Sequence, residues 1–320
     1  MRVRSDVTVF PDTVQTSDWV IGRGLLGSAI ASQLDGAPFA AAVRWGDPEQ
    51  SRRDLRDGLA RFVASVNGPW TVYWCAGRGV TSTPREVMLS EGAVFQDFLD
   101  AISELPPQVI ERGCVFLASS VGGAYAGSAS PPFTEDTPPV PMSAYGETKL
   151  AMEQSLRDAA ARDGFRGLVA RITNLYGPGQ DLGKGQGLIS VIVESYVTGR
   201  PVSIYVPLDT LRDYIYVDDC ARVVIAGMRR LRREAPGTVV TKIVGAMDAL
   251  SVGAIIGEMS RLRRKPVPLV TGQGNSTGQA GDLRVRSTVW PELDSLVSTT
   301  LPEGLGAIYR AQLSRHILPA

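Results

Sequence analysis

Tyr145 and Lys149 stand four residues apart in the stretch Ser143-Ala144-Tyr145-Gly146-Glu147-Thr148-Lys149. On a helix that spacing puts both side chains on one face, one turn apart. A phenol with a reference pKa of roughly 10 is a poor acid or base near neutrality. A fixed ammonium beside it favours the phenolate and brings the group closer to a useful pKa. The pair is a candidate proton-transfer centre, although a tyrosine and a lysine on an ordinary surface helix share the same spacing. The rest of the chain has to supply the setting.

A second stretch could hold a phosphate. Trp19-Val20-Ile21 reads as a short apolar strand. It runs into Gly22-Arg23-Gly24-Leu25-Leu26-Gly27 and then into an amphipathic helix. Glycines at Gly-x-Gly-x-x-Gly spacing allow a tight turn, close approach of backbone to a pyrophosphate, and close helix–strand packing. The free N–H groups of the helix that follows face the phosphates. Next, Pro38-Phe39-Ala40-Ala41-Ala42-Val43 reads as a second strand, ending in Arg44. An acidic residue near this point would hold the ribose 2′-hydroxyl of NAD, whereas arginine suits the 2′-phosphate of NADP. Arg23 and Arg44 together favour NADP, and Asp47 close by keeps NAD open as the alternative.

Composition narrows the classes. The 320 residues carry 33 basic and 33 acidic side chains, for zero formal net charge. That balance does not suggest a nucleic-acid footprint or a polybasic membrane patch. Four of the basic residues are lysines: Lys149, Lys184, Lys242 and Lys265. The three cysteines, Cys75, Cys114 and Cys220, fit a reducing cytosol better than a disulfide scaffold. With one histidine, His316, near the end of the chain, histidine acid–base chemistry and a histidine metal site are not expected. The expectation is a soluble cytoplasmic protein with no bound metal.

The positioning elements follow from periodicity. Helical patterns cover 54–66, 87–102, 145–162, 189–197 and 220–228, and apolar strands cover 70–77, 113–118 and 167–176. Their alternation predicts an α/β fold, a Rossmann-type doubly wound parallel sheet. Ligands in such sheets lie at the carboxyl ends of the strands. Ser119 and Ser120 stand at one such end, and 212–219 reads as a further strand entering a helix. The expected division is a dinucleotide-binding domain of 18–176 plus about 212–245, and a smaller C-terminal α/β substrate lobe of about 177–211 plus 246–320. Residues 1–17 are expected to form an extension with at most one peripheral strand.

Several segments in this order together resemble the extended short-chain dehydrogenase/reductase family, in its NAD(P)-dependent epimerase/dehydratase branch. They are the strand–glycine loop–helix at 19–34, Ser119-Ser120 shortly before Tyr125-Ala126-Gly127, Tyr145-x-x-x-Lys149, Arg171-x-x-Asn174-x-Tyr176-Gly177-Pro178-Gly179, Arg212 to Asp219, and Gly281-Asp282-Leu283-Arg284. The resemblance covers about residues 18–290 and implies a homodimer acting on a nucleotide sugar. It implies that Tyr145 exchanges a proton with a sugar oxygen. Lys149 would lower the tyrosine's pKa and hold the nicotinamide ribose, and Ser120 would hydrogen-bond the reacting oxygen. Ala76, Gly77 and Ile172 would complete the cofactor site begun by Gly22 to Gly27 and Arg44. Tyr125, Asn174, Arg212 and Arg284 would contact substrate, the arginines through bidentate bonds to phosphate oxygens.

Two positions depart from the family pattern. Ile21 stands where the branch has its first glycine, with Gly22 beside it, and Glu91 lies near the place of an asparagine on the 87–102 helix. Val121 and Gly122 follow Ser120 where a 4,6-dehydratase has an acidic pair, and the Cys/His pair of a 3,5-epimerase is missing. Three activities remain. The favoured one is NADPH-dependent reduction of a nucleotide-linked keto-sugar, such as a dTDP-4-keto-6-deoxyhexose. The alternatives are a 4-epimerase retaining NAD, and a non-catalytic NAD(P)-sensing protein, which would need a damaged Ser/Tyr/Lys set.

Overall fold

A computed structural model of the chain describes residues 17–184, 187–204, 206–271 and 280–317. Nearly all of the expected N-terminal extension lies outside the described residues. In chain order the elements are β1 (Ser17–Ile21), α1 (Leu25–Gln33), α2 (Pro48–Ala64), β2 (Trp70–Trp74), α3 (Arg85–Ser103), α4 (Pro107–Ile110), β3 (Gly113–Ser120) and α5 (Val121–Tyr125). Then come α6 (Ala144–Asp163), β4 (Arg166–Ile172), β5 (Asn174–Tyr176), α7 (Leu188–Thr198), β6 (Val202–Ile204), β7 (Leu211–Tyr216) and α8 (Val217–Leu231). The chain continues through β8 (Val239–Val244), β9 (Ala249–Ser251), α9 (Val252–Arg263), β10 (Leu269–Thr271), β11 (Asp282–Leu283) and α10 (Leu301–Ile317).

The central sheet is parallel throughout, in the order β1-β2-β3-β4-β8. Both faces are covered, which is why its strands read as near-continuous apolar runs. One face packs Trp19, Trp70, Val72, Val115 and Leu117 against α2, α3 and α6. The other packs Val20, Tyr73, Phe116 and Leu168 against α1 and α8. The expected α/β doubly wound architecture is the observed one. A separate cluster of Ile192, Val193, Ile255, Met259, Leu305 and Ile308 forms the core of the C-terminal helices. A smaller sheet, β11-β7-β5 with β9 on β7, lies beside the carboxyl ends of the main strands.

The expected strand at 38–43 is reduced to one bridge, Phe39 to Trp19. The segment is extended, with inward-facing Ala41 and Val43 alternating with exposed Ala40 and Ala42. Beyond it the Arg44 N–H donates to the Asp54 carboxylate (2.9 Å), which turns the chain towards the next helix. The helix after it starts earlier than expected. Asp47 caps Glu49 N and Gln50 N, and Pro48 takes the first position. Such a cap stabilises a helix by about 1 kcal/mol. The expected strand over 167–176 divides into β4 and β5, which pair in different sheets.

Candidate functional site

The carboxyl ends of β1, β2, β3 and β4 converge on one cleft edge, and the glycine loop is its most constrained part. Gly22 has φ +88°, and a Cβ there would lie 2.4 Å from Ala76 N; a Cβ at Gly27 would lie 2.0 Å from Gly22 O. Neither position admits a side chain. At Gly24 a Cβ would meet nothing within 4 Å, so the loop's outer surface is open to a ligand. Gly24 caps α1 without a side-chain bond, leaving the helix N–H groups free for a pyrophosphate. The left-handed turn that Ile21 could not supply is taken by Gly22. The Leu26 side chain is buried under α1, so only its backbone faces the loop.

A groove beside this loop is lined by Trp19, Ile21, Gly22, Arg23, Ala41, Val43 and Trp45. Arg23 is exposed. Its guanidinium makes no hydrogen bond or ion pair with the described residues. Arg44 is different, because Nε and Nη2 bind Asp54 at 3.0 and 2.6 Å. That pairing holds the Asp54 carboxyl below the usual carboxylate range. Asp47 is occupied as the cap of α2. Trp45 is 44 % exposed and packs edge-on against Trp74. Ala76 and Ile172 are buried strand ends, and Gly77 is exposed with φ +142°. These residues fit a dinucleotide.

Ser120, Tyr145 and Lys149 come together from β3 and α6. Ser143 caps α6 through Gly146 N (3.2 Å), which starts the helix at Ala144, one residue before Tyr145. Ser120 Oγ accepts from Gly123 N (3.1 Å), capping α5, and stands close enough to the Tyr145 hydroxyl to stabilise its phenolate. Lys149 Nζ donates to Ala118 O (3.1 Å) and lies 5.8 Å from the Tyr145 ring centroid. Burial pushes the Tyr145 phenol above its ordinary value; the nearby Ser120 hydroxyl opposes this and Glu91 adds to it. The expected lowering by Lys149 is not seen, because the ammonium points at the strand end and burial dominates. Burial likewise pushes Lys149 down, while Glu91, Cys75 and Glu153 favour its charge.

The expected substrate residues divide. Asn174 is exposed and donates to Asp213 O (2.9 Å). Arg212 donates to Leu211 O and Ala280 O, and burial lowers its pKa. Arg284 is half exposed and paired with Asp282 (2.8 Å). Tyr125 departs from its expected substrate role in this structure. It is fully buried, donates to Thr134 O (2.9 Å) and accepts from Arg171 Nη1 (2.6 Å). The aromatic–glycine spacing could not distinguish a cleft tyrosine from a core one. Glu153 was missed by sequence reasoning. Wholly buried, it accepts from Ser119 Oγ (2.6 Å) and from Arg171 Nε and Nη2 (3.1 and 2.7 Å). Its position four residues after Lys149 was the available signal. Among the described residues, no group of acidic, Cys or His side chains could hold a metal, and no helix is long and apolar enough to cross a membrane.

The comparisons with known proteins agree with this geometry. The chain is 32% identical over 120 residues to an Escherichia coli dTDP-4-dehydro-6-deoxyglucose reductase, covering 37% of this chain and 38% of that one. It is 36% identical over 128 residues to an Azospirillum brasilense UDP-glucose 4-epimerase, covering 36% and 37%. Each alignment spans little more than a third of the relative's length. Among solved structures, MoeE5 in complex with UDP-glucose and NAD superposes with a TM-score of 0.73 at 25% identity, over 94% of this chain and 100% of that one. A UDP-glucose 4-epimerase from Thermotoga maritima superposes at 0.74 with 19% identity, over 93% and 98%, and shares the fold. The profile of the NAD dependent epimerase/dehydratase family matches residues 20–241. The chain belongs to that family.

Proposed function

We propose that this enzyme reduces a nucleotide-linked keto-sugar with NADPH, with Tyr145 as proton donor. The observation that carries the reading is the charge pattern of the Arg23 groove. The nearby carboxylates, Asp47 and Asp54, are already engaged, while Arg23 is exposed with no partner among the described residues. A free guanidinium suits a 2′-phosphate, and the groove lining offers no acid for a ribose diol. An NADP-type cofactor that dissociates after each turnover supplies a hydride to be consumed, as reduction requires.

Tyr145, kept protonated by burial, gives its proton to the oxygen of the reduced carbonyl, while Ser120 holds that oxygen in hydrogen-bond reach. Lys149 would hold the nicotinamide ribose. Arg212 and Arg284 would meet the substrate diphosphate and nucleotide. The similarity to the Escherichia coli reductase supports this assignment.

A second reading is a nucleotide-sugar 4-epimerase with retained NAD. It is favoured by the Arg44–Asp54 pair, which occupies one of the two phosphate-binding candidates, and by the NAD in the MoeE5 complex. One experiment separates them. The purified protein is denatured, the released nucleotide identified, and NADPH oxidation followed with a dTDP-4-keto-6-deoxyhexose. Stoichiometric NAD in the purified protein and no NADPH oxidation would overturn the reductase reading.

A further inference from the structure

Glu91 sits on α3, facing the loop after β2 and the lysine of α6. Its Oε1 accepts from Arg78 N (2.8 Å) and Gly79 N (3.0 Å). Its Oε2 borders the open side of Gly77: a Cβ built there would lie 3.4 Å from Glu91 Oε2 and 3.6 Å from Lys149 Nζ. The carboxylate and the ammonium therefore flank one point of the cleft floor. The approach is close because α3 has Gly92 against α6, where a Cβ would already press on Thr148 Cγ2 at 3.2 Å. The Gly77–Gly79 backbone runs over this pair.

We propose that Glu91 is a positioning residue for the proton-transfer centre, in which one oxygen fixes the loop at Arg78–Gly79 and the other is the counter-charge that keeps Lys149 an ammonium. An asparagine at this place could make the loop bonds but could not supply the charge.

The groups facing Lys149 are Tyr145 and Glu153 from its own helix, Cys75 from the end of β2, and Glu91 from α3. Cys75 is a neutral thiol whose pKa burial pushes up to about 12. Glu153 is spent on Arg171, Arg157 and Ser119. Glu91 is the carboxylate of the set that no arginine neutralises. It opposes the burial that lowers Lys149, so its removal drives the lysine further down.

The small number of lysines makes this measurable. In protein labelled with 13C-lysine the ε-carbon signals number four, and a Lys149→Met variant assigns the relevant one. We expect Glu91→Gln to move the Lys149 titration midpoint down by roughly one unit, with the other three midpoints unchanged. Glu91→Asp, which keeps the charge but shortens the reach, should restore most of the midpoint. An unchanged Lys149 midpoint in Glu91→Gln would overturn the proposal. The inference rests on the reading of Lys149 as the ribose anchor, which NADPH titration by fluorescence checks separately. A shifted midpoint without any NADPH binding leaves the Glu91–Lys149 coupling standing and sinks that reading. With both intact, NADPH binding to Glu91→Gln should weaken at a lower pH than in the wild type.

Discussion

Glu153 and Arg171 form a 2.7 Å ion pair with almost no solvent access, one helical turn beyond Lys149. The pair ties α6 to β4 and, through Ser119 Oγ, to the end of β3 that carries Ser120. The proton-transfer set is thus held from behind by buried charge. Removing Arg171 leaves the buried Glu153 with only the longer contact to the partly exposed Arg157 (3.3 Å), at a cost of up to about 3–5 kcal/mol. Arg171→Met should lower stability by that amount in urea unfolding. The double variant Glu153→Leu/Arg171→Met should recover much of the loss, because the charge that remains, on Arg157, is partly exposed to solvent.

Tyr145→Phe removes the proton donor and leaves the aromatic packing intact. Turnover should fall by about 10²–10⁴. NADPH binding, followed by fluorescence titration, should stay within about twofold. Full turnover in this variant would place the proton elsewhere.

Arg23→Ala should weaken NADPH binding about 10–100-fold, the loss of a charge-assisted bond of roughly 1.5–3 kcal/mol, and leave NADH binding unchanged. The ratio of kcat/KM for the two cofactors reads this. Equal losses for both would mean that Arg23 meets the pyrophosphate instead.

Tyr125→Phe distinguishes a packing tyrosine from a substrate contact. Its hydroxyl joins Arg171 to Thr134. Losing it should lower stability by about 1–3 kcal/mol, through an unsatisfied guanidinium donor. The KM for the nucleotide sugar should not change.

The basic limb of the pH–rate profile should belong to Lys149. Burial raises Tyr145 and lowers Lys149, so as pH rises the lysine loses its proton first. Activity should therefore fall on the alkaline side at a pH below the ordinary lysine value. Lys149→Arg, which stays charged, should move that limb up even where overall turnover is reduced. A limb that stays in place would assign it to another group.

Much of this was legible from side-chain type. The Gly22–Gly27 turn, the buried β3 and β4, and the one-turn spacing of Tyr145 and Lys149 are local patterns, and the structure has them where the spacing placed them. What escaped was pairing between distant segments. Arg44 read as an open phosphate ligand because Asp54, ten residues on, gave no sign of folding back onto it. Tyr125 read as a cleft residue because burial depends on Arg171 and Phe133, which sequence spacing does not bring near. The 38–43 run was apolar enough for a strand, but β1 ends at Ile21, so only Phe39 finds a bridge partner, in Trp19.

That unladdered edge has a consequence of its own. The Arg23–Trp45 side of the groove lies at the sheet edge, held by one bridge, the Asp47 cap, the Arg44–Asp54 ion pair, and packing of Phe39 and Trp45 on Trp19 and Trp74. An exchange at the exposed Arg23 disturbs no strand register and none of the buried core. If Arg23 meets the coenzyme as proposed, coenzyme preference can change at this position without endangering the fold.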